Sequence, residues 1–141
     1  DEVARQVGVG AVVFADLKTK RIKEVVFDWD EALNFEGETG PYLQYTHARL
    51  CSILRKYGRP VPVGADVSSL TEAEELHVAK DVARLGDVLR RAAVEDEPSL
   101  LCGYLLELAA TGQDPIDRSL KKACDARHYL RTLVKHNLRP R

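Results

Sequence analysis

Apolar residues recur at helical spacing through most of this chain. Val3, Val7, Ala11, Phe14 and Leu17 fall three or four apart, so residues 3–17 read as a helix, although Gly8 and Gly10 weaken it. Residues 22–27 are short and β-branched, which suits extended chain or a brief strand. Asp28-Trp29-Asp30-Glu31-Ala32-Leu33 reads as one helical turn. Thr39 then caps a new helix, with Pro41 in its first turn and Tyr57-Gly58 at its end. Pro60, Pro62 and Gly64 make residues 59–69 a loop. Thr71-x-x-Glu74 has the form of a capping box and starts a helix to about Val94, with Val78, Val82, Leu85, Leu89 and Ala93 on one face. Pro98 opens another helix, with Leu101, Tyr104, Leu105 and Leu108 facing inward. Asp114-Pro115 starts the last, whose stripe is Leu120, Ala123, Leu130 and Val134. Four helices after residue 38, joined by short loops, predict an all-α bundle, preceded by an N-terminal helix and a short extended junction.

The helix expected over residues 40–57 carries two stripes. At about 100° per residue, Tyr42, Tyr45, Arg49, Ser52 and Lys56 share one side. Leu43, His47, Leu50, Leu54 and Tyr57 fall a quarter-turn or more away and suit a core. The first stripe offers aromatic faces, a guanidinium and an ammonium, the groups that hold an unstacked nucleotide loop. The same spacing also fits ordinary bundle aromatics with hydrated hydroxyls.

A length of 141 residues suits one domain, or one domain plus a piece of another, and 45% apolar residues suffice for a core. The net charge of -1 is silent about partners, but its distribution is not. From residue 118 onward the basic residues include Arg118, Lys121, Lys122, Arg127, Arg131 and Lys135, against one acid, Asp125. The acids gather instead at residues 72–75 and 95–97. Such asymmetry fits either a solvated helix face or a polyanion partner, for which Arg131 and Lys135 would be phosphate contacts.

Cys51, Cys102 and Cys124 show no Cys-x-x-Cys spacing, which suits reduced, mostly buried thiols in a cytoplasmic protein. There is no apolar run of transmembrane length and no signal peptide, so no membrane is expected as a partner. The first residue is Asp and residues 3–17 already resemble the middle of something, so the chain reads as a piece of a longer protein.

Catalytic chemistry is not expected. His47, His77, His128 and His136 have no Cys or carboxylate at metal-ligand spacing, so no metal site is predicted, and His47 reads as a core or boundary residue. Asp28 and Asp30 would sit on different sides of a helical turn, where capping fits better than acid–base work. Gly8 and Gly10 lack the strand and third glycine of a dinucleotide fingerprint.

Residues 7–56 resemble the junction segment of arginyl-tRNA synthetases. The similarity runs through Val7-Gly8-Val9-Gly10-Ala11, Phe14-Ala15-Asp16-Leu17, Arg21 and Phe27-Asp28-Trp29-Asp30. It continues in Leu33-Asn34-Phe35-Glu36-Gly37-Glu38-Thr39-Gly40-Pro41-Tyr42-Leu43-Gln44-Tyr45, Ala48-Arg49, Ser52-Ile53 and Arg55-Lys56. More weakly, Asp87-Val88-Leu89, Glu97-Pro98 and Tyr104-Leu105-Leu106-Glu107-Leu108-Ala109 resemble that family's C-terminal, DALR-type anticodon-binding helices. The resemblance divides the chain into residues 1–37, like the end of the class I catalytic domain, and 38–141, an anticodon-binding bundle with a divergent C-terminal part. It implies that Tyr42 and Tyr45 face the anticodon loop of arginine tRNA, with Gln44 between them. Arg49, Lys56, Arg131 and Lys135 would add backbone contacts.

Two departures accompany the resemblance. Thr111-Gly112-Gln113-Asp114 stands where the family has an aromatic helix, and the sequence closes on Asn137-Leu138-Arg139-Pro140-Arg141 without the family's Leu-Gly-Ile-like tail. No His-Ile-Gly-His-like segment is present, and without methionine there is no Lys-Met-Ser-Lys. The chain alone is therefore expected to be inactive. ATP and Mg would bind only in the parent catalytic domain, and the expected partners are that domain and arginine tRNA, not DNA. The alternative is a free-standing paralogue or remnant that acts as a protein-interaction or dimerisation module.

Overall fold

A computed structural model describes residues 1–58 and 72–122, of which 57 and 113–122 by backbone alone. Six helices follow one another: α1 (Glu2–Lys18), α2 (Trp29–Ala32), α3 (Gly40–Tyr57), α4 (Ala73–Ala83), α5 (Leu85–Val94) and α6 (Ser99–Lys122). There is no strand among the described residues, so the fold is all-α and residues 22–27 take the extended alternative without a ladder. The long α6 is the hub, packing on α1, α3, α4 and α5, while α1 also packs along α3.

The α1–α3 contact explains why α1 forms despite its glycines. A Cβ added at Gly40 would lie 2.8 Å from the Gly10 carbonyl oxygen, 3.0 Å from Phe14 Cβ and 3.2 Å from Ala11 Cα. Only glycine allows this approach. Ala11 is 1% exposed, and Pro41 is fully buried beside it. The buried edge of α3 is therefore Gly40, Pro41 and Thr46 in its first half. This corrects the expected core stripe. Leu50 and Leu54 are 42% and 53% exposed, Leu43 is half-buried and His47 is exposed. Small residues bring the backbones together near the N-terminus of α3, and the leucines lie farther along the helix.

The caps bounding α2 and α3 follow the sequence. Asp28 Oδ1 accepts the Glu31 N–H at 2.8 Å, which starts α2. Thr39 Oγ1 accepts the Tyr42 N–H at 3.2 Å and donates to the Asn34 carbonyl at 2.5 Å, tying the α2–α3 loop to the start of α3. Gly58 closes α3 at φ 66°, the left-handed conformation that glycine takes without penalty.

The helix expected to run to Val94 is two helices. The Asp81 carbonyl accepts the Arg84 N–H at 3.1 Å and the Tyr104 hydroxyl of α6 at 2.8 Å. A tightened turn with a foreign donor inserted breaks the ladder, and Gly86 just beyond it has little helical preference. The break shifts the packed face. Val82 and Leu89 are 54% and 46% exposed, whereas Val78, Val88 and Ala92 are half-buried and Asp81 is buried. Asp81 is held by Arg84 at 3.2 Å. The cap of α4 also differs from Thr71, which lies outside the described residues: Glu72 is the N-cap, and its N–H donates to Glu75 Oε2 at 3.4 Å.

In contrast, α6 continues where two helices were expected, running unbroken past Asp114-Pro115. The Thr111 hydroxyl donates back to the Glu107 carbonyl at 2.9 Å and is satisfied within the helix. In a helix interior proline removes one backbone donor and crowds the carbonyl four residues earlier, so Pro115 is a cost that the unbroken backbone of α6 carries. Among its residues 99–112, Cys102, Tyr104 and Ala109 are buried.

Candidate nucleic-acid interface

The two tyrosines of α3 sit in different surroundings. Tyr45 is 47% exposed, and the Arg49 guanidinium lies 5.6 Å from its ring centroid. That is cation–π distance, and it covers one part of the ring while the rest meets solvent. Tyr42 is half-buried and lines a groove of about 820 Å³ between α6 and the loop after α1. Lys56 is exposed near the far end of α3. Gln44 turns the other way: its Nε2 donates to the Gln6 carbonyl of α1 at 3.4 Å, and its buried Oε1 has no hydrogen-bond partner among the described residues. Arg131 and Lys135 lie outside the described residues. The structure thus brings Tyr45 and Arg49 together, sets Tyr42 beside a groove, and directs Gln44 to the helix junction.

The groove contains residues that the helical wheel did not bring forward. Lys18, Lys20 and Lys23 line it from the α1 side, with Ser99, Gly103 and Glu107 on α6. A second hollow of about 340 Å³ shares Lys18, Lys20, Ser99, Gly103 and Glu107 and extends to Arg84 and Arg91. Lys18, Lys20 and Lys23 are a visible cluster in the sequence, but nothing there shows that α5 and α6 stand opposite them. Lys18 is engaged structurally, donating to Glu31 Oε1 and to the Glu38 carbonyl, both at 3.1 Å.

At the start of α6 the Ser99 hydroxyl donates to Glu97 at 2.7 Å, and this bond keeps the Glu97 carboxyl below the usual carboxylate range. A lowered folded value means that the stability this bond contributes is complete above the unfolded carboxylate value and is lost as pH falls through the folded one. Glu97→Gln should therefore remove part of the acid sensitivity of urea unfolding, and an unchanged pH profile of stability would take Glu97 out of it.

The thiols differ in setting. Burial pushes the Cys102 thiol up, which makes it a poor nucleophile. Cys51 is half-buried, with its Sγ 3.4 Å from His47 Nε2, while Cys124 lies outside the described residues. Among the described residues no group of three or more His, Cys, Asp or Glu is placed to hold a metal ion, and no helix is long and apolar enough to cross a membrane.

Comparison with known proteins gives this surface a context. The chain is 49% identical over 109 residues to the arginine–tRNA ligase of Lactococcus lactis subsp. lactis, an alignment covering 77% of this chain and 19% of that enzyme. It is 50% identical over 109 residues to the arginine–tRNA ligase of Limosilactobacillus fermentum, with the same coverage. The chain thus spans about a fifth of the length of these relatives. Among solved structures, Thermus thermophilus arginyl-tRNA synthetase superposes with a TM-score of 0.70 at 44% identity, over 78% of this chain and 18% of that one. The family model described as the DALR anticodon binding domain matches residues 43–115, a span that includes Gln44, Tyr45, Arg49 and all of α4 and α5. On this match the chain belongs to the DALR anticodon binding domain family.

Proposed function

We propose that this chain is the anticodon-reading part of an arginine–tRNA ligase, an enzyme that joins arginine to its tRNA with ATP. The observation that carries this reading is the match of an anticodon-binding family across residues 43–115, within a longer alignment to arginine–tRNA ligases. Tyr45 offers a partly exposed ring on which a loop base stacks, and Arg49 sits against that ring ready for a neighbouring phosphate. Tyr42 stands one turn earlier, and Lys56, Arg131 and Lys135 add contacts that position the RNA without reading its sequence. Gln44 supports this edge from below by bonding α1. Aminoacylation chemistry, with ATP and Mg, belongs to the rest of the parent enzyme, which works in the cytoplasm. The exposed apolar residues Val3, Val9 and Val13 of α1 give that parent domain a surface to rest on.

The test is a binding titration of the 141-residue chain against an RNA hairpin bearing an arginine anticodon loop, with a scrambled loop as control. Preference for the correct loop supports the reading, and equal affinity for both loops removes it. Base–aromatic stacking contributes about 1–3 kcal/mol per base. Because Arg49 already occupies part of the Tyr45 ring, Tyr45→Ala should fall at the low end, weakening binding about tenfold. Unchanged affinity would take Tyr45 out of the interface.

A further inference from the structure

We propose that the groove between residues 18–23 and α6 holds the sugar–phosphate backbone of the RNA strand leaving the tyrosine edge of α3, with Lys20 and Lys23 as its phosphate contacts. This rests on the tRNA-binding reading and adds a second contact region to it.

Three observations lead there. The first is continuity: Tyr42 lines the groove and stands one turn from Tyr45, so a strand stacked at Tyr45 has the groove as its neighbour. The second is unused charge. Lys18 is occupied by Glu31 and Glu38, and Arg84 by Asp81 and Glu107. The side chains of Lys20 and Lys23 are exposed and have no hydrogen bond or ion pair among the described residues. Of the two acids that line the groove, Glu107 is answered by Arg84, whose Nη1 stands 3.4 Å from its Oε1, while Glu38 meets Lys18 only through its backbone carbonyl. The third is room: α6 presents Gly103 to both hollows, and open space surrounds the position of its missing Cβ. A backbone strand can approach α6 closely there.

Lysines that meet phosphates without reading bases leave a thermodynamic signature. Each contact to a single strand adds about 0.7 to the slope of log affinity against log salt. Removing two should lower that slope by about 1.4 and weaken binding roughly 25-fold at about 0.1 M salt, with the difference vanishing toward 1 M. Preference for the correct loop should be unchanged, because phosphate contacts carry no sequence information.

The experiment titrates the 141-residue chain and its Lys20→Ala/Lys23→Ala variant with the labelled anticodon hairpin across a salt series, with circular dichroism confirming equal helix content. A shallower salt slope with retained loop preference supports the proposal. A wild-type chain that prefers its loop, beside a variant with an unchanged slope, overturns the groove and leaves the tRNA reading standing. A wild-type chain with no affinity for the hairpin overturns the tRNA reading itself. Displacement of the hairpin by polyglutamate through the same two lysines, at comparable concentration, would make the groove a site for acidic protein and overturn the proposal.

Discussion

Replacing Tyr104 by alanine should cost about 3–5 kcal/mol, the range for removing a large buried aromatic. Tyr104 is buried in α6, and its hydroxyl donates to the Asp81 carbonyl at 2.8 Å, where α4 gives way to α5. One side chain therefore fills the core and fastens the α4–α5 break to the hub helix. Its loss would leave a cavity and free both shorter helices from α6. Against the roughly 5–15 kcal/mol that holds a typical domain, this is a large share. Tyr104→Phe isolates the hydrogen bond and should cost about 1 kcal/mol, because the Asp81 carbonyl keeps the Arg84 N–H as a donor. Urea unfolding followed by circular dichroism measures both. Similar losses for the two variants would mean that the ring does not pack as described.

Gly40→Leu should destabilise the chain by about 3 kcal/mol, at the upper end for overpacking a closed contact. The first atom of any side chain there meets the Gly10 carbonyl at 2.8 Å, and that neighbour is backbone, which cannot swing aside. Helices α1 and α3 would have to part, moving the groove wall that carries Lys18, Lys20 and Lys23 away from Tyr42. Gly8 is the contrasting case. It lies in the same helix as Gly10 with nothing near its missing Cβ, so Gly8→Ala should stabilise by up to about 1 kcal/mol through helix propensity. Gly10→Ala falls between, since its Cβ meets the amide end of Gln44, a side chain that can rotate at the cost of its bond to Gln6. Thermal unfolding of the three variants ranks them. A Gly40→Leu protein as stable as the Gly8→Ala one would refute the close α1–α3 crossing.

Local chemistry was legible in the sequence at both ends of α3 and at the start of α2. Asp28, Thr39, Pro41 and Gly58 bound α2 and α3 as their types imply, because a cap is a contact across three or four residues. The helical class was legible for the same reason, and so was the edge of Tyr42, Tyr45 and Arg49, set by helical periodicity alone. One helix boundary failed at Asp114-Pro115, a local start signal inside the unbroken α6, and another where a distant group intervened. The break at Arg84 depends on the Tyr104 hydroxyl, 23 positions from the carbonyl it caps. Burial failed likewise on α3, because a leucine stripe marks what is able to be covered, while the glycine-lined crossing with α1 sets what is covered.

By itself, then, the order of residues determined the caps of α2 and α3, the all-α class and the face shared by the tyrosines and Arg49. Tertiary structure alone decided which of those tyrosines borders a groove, that Gln44 turns inward to α1, and that lysines 18–23 stand opposite α5 and α6. The physical reason is range. Capping and helical periodicity act within about one turn and are written in adjacent residues. The pairing of helix faces rests on shape and close approach between segments far apart in the chain, which short-range patterns do not specify.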